Sequence, residues 1–199
     1  MKKKFNNEKD VALFLHRNLK QKTNLIISGG NTIKSLMAKM ISLNKNLYFK
    51  NLLLSDERIV NKNSINRNDK FFKKLISNKV INTKNFIHYE QSKLDYLEIK
   101  RVSQKISKTK FNNCLLSLGS NCHLASIFDF NFKSISNFYH IDNSPKKPKN
   151  RVTVSKEVIF KCNKIFLVAK VHSKKKELKQ FFKIAFFKKI KKKIILLTY

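Results

Sequence analysis

The run Asn24-Leu-Ile-Ile-Ser-Gly-Gly-Asn-Thr32 puts two of the three glycines of this 199-residue chain on one turn, between an apolar strand-like segment and an amphipathic helical one. The third, Gly119, follows another apolar run in Leu116-Ser-Leu-Gly-Ser-Asn-Cys-His-Leu-Ala-Ser-Ile-Phe128, four residues before His123. Every glycine therefore marks a strand-to-helix turn, which narrows the chain to α/β architectures. At such a turn the backbone passes close to a ligand with no Cβ in the way, and the next helix offers unpaired N–H groups and the positive end of its dipole. Ser28, Gly29, Gly30, Asn31 and Thr32 are accordingly expected to face a phosphate.

The remaining elements follow the same alternation. Asn6 or Asn7 can cap a first helix with Val11, Phe14, Leu15 and Leu19 at helical spacing, ending near Lys22. Leu25–Ser28 reads as a buried strand, and Thr32 to Leu43 as a helix with Ile33, Leu36, Met37, Met40 and Ile41 on one side. A second strand, Leu47–Ser55, closes on the charged triplet Asp56-Glu57-Arg58; a polar loop over 61–69 precedes a helix marked by Phe71, Phe72, Leu75 and Ile76. Phe86–Tyr89 reads as a short strand, Tyr96–Lys108 as a helix and Cys114–Leu118 as a buried strand. The stretch 139–150 holds both prolines, Pro145 and Pro148, and is expected to be a loop. Strands over Arg151–Ser155 and Lys164–Val171 flank a short segment at Glu157–Lys161. A helix from Lys175 to Phe187 and a last strand, Ile194–Thr198, complete the pattern. The expectation is a single α/β domain over residues 1–199, with a mainly parallel open sheet flanked by helices on both faces. Ligands bind such sheets beyond the carboxyl ends of the strands, so the turns at Gly29, Asp56 and His123 should share one edge.

Lysine and arginine number 44 against 12 acidic residues, a formal charge of +32. The lysines are spread along the chain beside abundant Asn, Ile and Phe, with two prolines and no tryptophan, the composition an AT-rich coding sequence imposes. Without a clustered basic face carrying base-reading groups, no specific nucleic-acid partner is expected; clusters such as 174–176 and 188–193 would attract polyanions nonspecifically. Apolar stretches are broken by lysine well short of the roughly 18–20 residues of a membrane span, and no membrane partner is expected. The start is basic but lacks the apolar core of a secretory leader, so the cytoplasm is the expected location. Cys114, Cys122 and Cys162, odd in number and without a C-x-x-C pair, read as buried small hydrophobes; neither a disulfide framework nor a metal site is expected.

Ser28-Gly-Gly-Asn-Thr32, Asp56-Glu-Arg-Ile-Val60, Asn68, Leu115–Phe128 and Ser144-Pro-Lys-Lys-Pro-Lys-Asn-Arg-Val-Thr-Val154 occur in an order that resembles the successive signatures of 6-phosphogluconolactonases. The related glucosamine-6-phosphate deaminases share the first motifs, but Ala125-Ser-Ile-Phe128 and the Pro-Lys…Arg-Val-Thr segment favour the lactonase branch. The resemblance implies hydrolysis of 6-phospho-D-glucono-1,5-lactone to 6-phosphogluconate in the pentose phosphate pathway, with no cofactor and a phosphosugar as partner. The residue types suit that chemistry. Ester hydrolysis needs water activated by a base, donors for the carbonyl oxygen as it becomes anionic, and an anchor for the phosphate. His123 titrates in the right range for the base, and Arg58 carries a fixed charge suited to an oxyanion or a phosphate. Asp56 and the 28–32 turn belong to the substrate-binding set, and Arg151 is a second candidate for the phosphate. His16, His88, His140 and His172 read as surface or core, and Phe181, Phe182, Phe186 and Phe187 as core or interface.

The chain departs from the family pattern at the centre of the site. Ser117-Leu-Gly-Ser-Asn-Cys-His123 stands where the resemblance leads one to expect Gly-x-Gly-x-Asp-Gly-His. Asn121 keeps the hydrogen-bonding capacity of an aspartate behind the histidine but not its charge. Cys122 replaces a glycine, so a positive φ there would strain the loop by about 1–3 kcal/mol. A nucleophilic role for Cys122 is not expected. Arg67 stands in place of a serine, and the strand near Ala169-Lys170 lacks a glycine. The competing readings are a sugar-phosphate binder that has lost catalysis, a deaminase and a basic nucleic-acid-binding protein.

Overall fold

In the computed structural model, which describes residues 1–19, 22–43 and 46–199, the chain runs β1 (Lys2–Lys4), α1 (Glu8–Asn18), β2 (Thr23–Ile27), α2 (Asn31–Leu43), β3 (Leu47–Leu54), β4 (Asp56–Arg58), α3 (Asp69–Ser77), β5 (Ile81–Ile87), α4 (Tyr96–Ser107), β6 (Asn113–Ser117), β7 (Phe138–Ile141), β8 (Arg151–Val154), α5 (Lys156–Lys161), β9 (Lys164–Ala169), α6 (Val171–Phe181), α7 (Ala185–Ile190) and β10 (Ile194–Thr198). Seven strands form one sheet in the order β1-β10-β9-β6-β2-β3-β5, every neighbouring pair parallel. The other three, β4-β8-β7, form a small antiparallel sheet.

Alternate residues of the central strands serve opposite faces. Leu25, Ile27, Leu52 and Leu54 pack with Val11, Leu15, Leu36, Met37 and Phe72 of α1, α2 and α3. Ile26 and Leu53 pack with Val102, Ile159, Phe181 and Phe187 of α4, α5, α6 and α7. Coverage on both sides is why these strands read as unbroken apolar runs. The three cysteines are free and buried.

Ser55 is the pivot between the two sheets. Its N–H bonds to the Ile27 carbonyl at the end of β2 (2.8 Å), and its own carbonyl accepts from Val154 N–H of β8 (2.8 Å). The chain thus leaves the main sheet, and Asp56, Glu57 and Arg58 pair antiparallel with Thr153, Val152 and Arg151. Parallel strands end together, so the Gly29, Asp56 and His123 turns share the carboxyl edge as expected.

The structure corrects several boundaries. The first helix stops at Asn18, with Asn7 accepting from Asp10 N–H at its start (3.0 Å); residues 20 and 21, where it was expected to continue, lie outside the described residues. Lys2–Lys4 is an edge strand beside β10, hidden in the sequence by its three lysines. The strand expected at Phe86–Tyr89 is Ile81–Ile87, an edge strand whose exposed positions carry polar residues. Phe138–Ile141 is not loop: Tyr139 pairs with Thr153 and Ile141 with Arg151, and the irregular stretch holding the prolines begins after it. The single helix expected over 175–187 is two, α6 and α7, broken at 182–184. Phe181 and Phe187 stack in the core with ring centroids 3.6 Å apart. In one continuous helix six residues apart means about 240° of rotation, which would send one of the two rings outward. The side chains of His172 and Phe186 lie outside the described residues.

Phe181→Ala is expected to cost about 3–5 kcal/mol of unfolding free energy, because it removes a fully buried ring from a packed stack. Urea denaturation followed by circular dichroism measures it, and a cost within the error of wild type would contradict this packing.

Candidate active site

The first turn of α2 is built on Gly30, whose carbonyl accepts from Ile33 and Lys34 N–H (3.0 Å each). By helix geometry the amides of Asn31 and Thr32 have no intrahelical acceptor. Neither glycine has a positive φ; the requirement is steric. A Cβ on Gly29 would lie 2.3 Å from Cγ of Asn68, so a side chain there would push Asn68 away. Ser28 faces inward, its Oγ accepting from Ser117 N–H (3.3 Å), and stitches β2 to β6 rather than opening to solvent. Gly29, Gly30, Asn31, Lys34, Arg58, Ile65, Asn66 and Asn68 enclose a cleft of about 390 Å³, within the range that holds small ligands.

Arg58 reaches into this cleft from β4. Its Nη1 donates to the Asn66 carbonyl (2.7 Å), while its Nε is buried without a partner. Lys34 faces it from α2, and burial together with the Arg58 charge draws the Lys34 ammonium below its ordinary pKa. Two cations held close in a site with idle donors are an arrangement that an anion relieves.

His123 occupies a neighbouring seat. Its ring lies against Gly119, where any Cβ would come within 2.0 Å of it, and packs on Phe128 with centroids 4.7 Å apart. Nδ1 lies 2.5 Å from the Ser120 carbonyl. A carbonyl only accepts, so Nδ1 carries the hydrogen and Nε2 is left with its lone pair. Burial lowers the His123 pKa, with the charges of Lys146 and Arg151 adding to the effect against the Ser120 carbonyl and Asp56. The imidazole is therefore neutral at neutral pH and able to take a proton.

Arg151 links the two seats. It stands opposite Arg58 in the small sheet, its guanidinium lies 5.7 Å from the Phe128 ring, and its Nη1 donates to Ser126 Oγ (3.4 Å). Its Nε donates to the Pro148 carbonyl and Nη2 to those of Lys146 and Lys147. Most of its donors are thus committed to folding the 144–150 loop, which leaves Arg58 as the arginine facing the cleft. Asp56 is buried, accepting from Ser55 Oγ (3.0 Å) and Ser126 Oγ (2.8 Å), and acts on the histidine through its field.

Asn121 and Cys122 take a left-handed backbone, each with φ 61°. The Asn121 side chain is exposed, and the group on the imidazole is the Ser120 carbonyl. Cys122 carries the strain anticipated for a non-glycine residue there. Its thiol turns toward α6, donating to the Glu177 carbonyl (3.1 Å), and burial raises its pKa, which disfavours the nucleophilic thiolate. Sequence reasoning missed Lys34 and Lys146. Lys146 donates to Ser120 Oγ beside the histidine, and its own pKa is lowered by burial and by Lys174, Arg151 and Arg58. Both residues lie inside or one turn after a recognised motif, but two lysines do not stand out in a chain with this charge. Among the described residues, no group of His, Cys, Asp and Glu side chains forms a metal-binding cluster, and no helix is long and apolar enough to cross a membrane.

The fold matches solved structures over the whole chain. The 6-phosphogluconolactonase of Thermotoga maritima superposes with a TM-score of 0.85 at 19% identity, covering 100% of this chain and 98% of that one. The Trypanosoma brucei enzyme of the same name gives 0.77 at 16% identity, covering 100% and 95%. In sequence, the 6-phosphogluconolactonase of Borreliella burgdorferi is 25% identical over 172 residues, 80% of this chain and 72% of that protein. A profile of the glucosamine-6-phosphate isomerases/6-phosphogluconolactonase family matches residues 8–191. The chain belongs to that family.

Proposed function

We propose that this protein hydrolyses 6-phospho-D-glucono-1,5-lactone to 6-phosphogluconate, a reaction on a water-soluble sugar phosphate that suits a cytoplasmic enzyme of the pentose phosphate pathway. The observation that carries the reading is the pairing of His123 Nδ1 with the Ser120 carbonyl, which frees Nε2 as a base beside an anion-binding cleft.

In this reading the phosphate sits in the 390 Å³ cleft, on the amides of Asn31 and Thr32, with Lys34 and Arg58 as counter-charges. Gly29 and Gly30 let it approach the backbone, and Ser28 holds the turn to the sheet. Anchoring the phosphate presents the lactone carbonyl to the histidine. Nε2 takes a proton from water as the oxygen attacks C1, and the carbonyl electrons move onto oxygen. The nearby charges of Lys146 and Arg151 stabilise that oxyanion. Its collapse breaks the bond from C1 to the ring oxygen, which takes the proton back from the imidazolium and leaves the open-chain acid. Asp56 steadies the imidazolium through its field. Asn121 contributes by bending the turn that aims the Ser120 carbonyl.

His123→Ala is expected to lower kcat about 10²- to 10⁴-fold, toward the spontaneous rate of lactone opening. A coupled lactonase assay measures it, and an unchanged rate would sink the assignment. The acid limb of kcat, read with substrate already bound and so blind to titrations that only change binding, should have its midpoint below about 6.5, the ordinary histidine value, because burial and neighbouring cations disfavour the charged ring; a midpoint above that value would place the base elsewhere. Lys34→Met should raise KM about tenfold while leaving kcat within about threefold, since the ammonium grips a phosphate that does not react. Equal KM values for the two proteins would move the phosphate to another wall.

A further inference from the structure

Glu57 touches no part of the cleft and is 1% exposed. Its carboxylate is nonetheless the meeting point of three backbone donors from two segments, its own strand and the start of α3. Oε1 accepts from Arg58 N–H (2.7 Å) and Asn68 N–H (2.8 Å), and Oε2 accepts from Asp69 N–H (2.8 Å). Asn68 precedes α3 but makes no side-chain cap, so the start of that helix is capped from β4 by Glu57. The Asn68 side chain, donating to the Asp56 carbonyl (3.0 Å), is then set against Gly29, and its Oδ1 is buried without a partner. Arg58 closes the ring through its bond to Asn66.

We propose that Glu57 is the positioning residue of the phosphate cleft: through these three hydrogen bonds it holds Arg58 and Asn68 opposite the Gly29-Gly30 turn, with Arg67 as its buried counter-charge. The proposal rests on the phosphate-cleft reading above. Arg67 lies 4.0 Å from Glu57, forks onto Asp69 (2.9 and 3.0 Å), and donates to the carbonyls of Tyr89 (2.7 Å) and Gln91 (2.8 Å) past the end of β5. It therefore pins the 66–69 segment to the body of the sheet. The arginine that departs from the family pattern is an added anchor of the cleft wall.

The groups facing Glu57 are Arg67 and Asp69 from that segment, Lys34 from α2 and Arg58 on its own strand, with Lys73 and His88 behind Asp69. Burial pushes Glu57 up to about 7, against the N–H groups of Asn68 and Arg58 and the Arg67 charge, with Asp69 adding to the rise. A proton on one Oε removes an acceptor and slackens the wall. A raised folded-state pKa also means that the stability Glu57 contributes is present below its unfolded value of 4.5 and is lost as pH rises through about 7. For Glu57, grip on the ligand and global stability run in opposite directions with pH, as they would not for a group serving the fold alone.

Calorimetric binding of 6-phosphogluconate by wild type and Glu57→Gln, at about pH 6 and about pH 8, tests this. The wild type should bind about tenfold tighter at the higher pH, the loss expected for one hydrogen bond to a charged group, and the ratio should approach one at the lower. Titration of the phosphate and of His123 is common to both proteins and cancels in the ratio. Backbone amide NMR signals of Arg58, Asn68 and Asp69 should move together with a midpoint of about 7; this arm needs only the wild type and decides the matter if the variant does not fold. A ratio constant with pH, or amides that do not titrate together, overturns the proposal. Absence of lactone turnover with the ratio intact overturns the hydrolysis reading and supports this one.

Discussion

Burying acidic side chains at the mouth of the sheet is the constraint around which the rest is arranged. Asp56 and Glu57 are 4% and 1% exposed, and an ionised carboxylate out of water is costly unless its lone pairs are filled. Each is satisfied by a chain neighbour and by a segment distant in sequence: Asp56 by Ser55 and Ser126, Glu57 by the backbone of residue 58 and of residues 68 and 69. Satisfying them draws three distant stretches together at one edge. The cleft lies between two of those stretches, and the histidine turn on the third.

Close approach, rather than unusual dihedrals, explains the glycines that matter. Gly29 makes room for Asn68 and Gly119 for the His123 ring. Around the histidine turn, left-handed backbone falls instead on Asn121, Cys122 and Ala125. Asparagine tolerates it through its short polar side chain, and for the other two the surrounding structure must hold the turn. The turn thereby aims the Ser120 carbonyl at Nδ1, so a backbone dipole stands where a charged partner could have stood.

The excess of lysine takes on local meaning only around the site. Burial, together with the charge of Arg58, lowers the pKa of Lys34, Lys146 and Arg151 across the edge that carries the histidine. No ion pair neutralises any of the four among the described residues, whereas Arg67 and Arg101 are paired with carboxylates. Charge left uncompensated in a partly buried place is stored for a ligand; lysines on solvated faces screen themselves.

The α/β class, the central strands and the shared edge for Gly29, Asp56 and His123 were legible in the sequence because hydrophobic period and glycine placement are local signals. The edge strands β1 and β5 were not fully legible: one side of an edge strand faces water, so its residues carry little apolar pattern. The break between α6 and α7 was hidden because both halves are helical and only the stacking of Phe181 on Phe187 decides between one helix and two. At the site, sequence motifs located His123 and Arg58 and left open which arginine meets the anion. Side-chain directions are what the proposed assignment rests on: Arg151 is occupied by loop carbonyls, Arg58 faces the cleft, and Lys34 joins it from one turn beyond the glycines. What the chain determined by itself was the order of elements and the residue types available, since these follow from neighbours in sequence. Which donors remain idle, and therefore what the site can hold, depends on contacts between residues tens of positions apart, and only the folded arrangement supplies them.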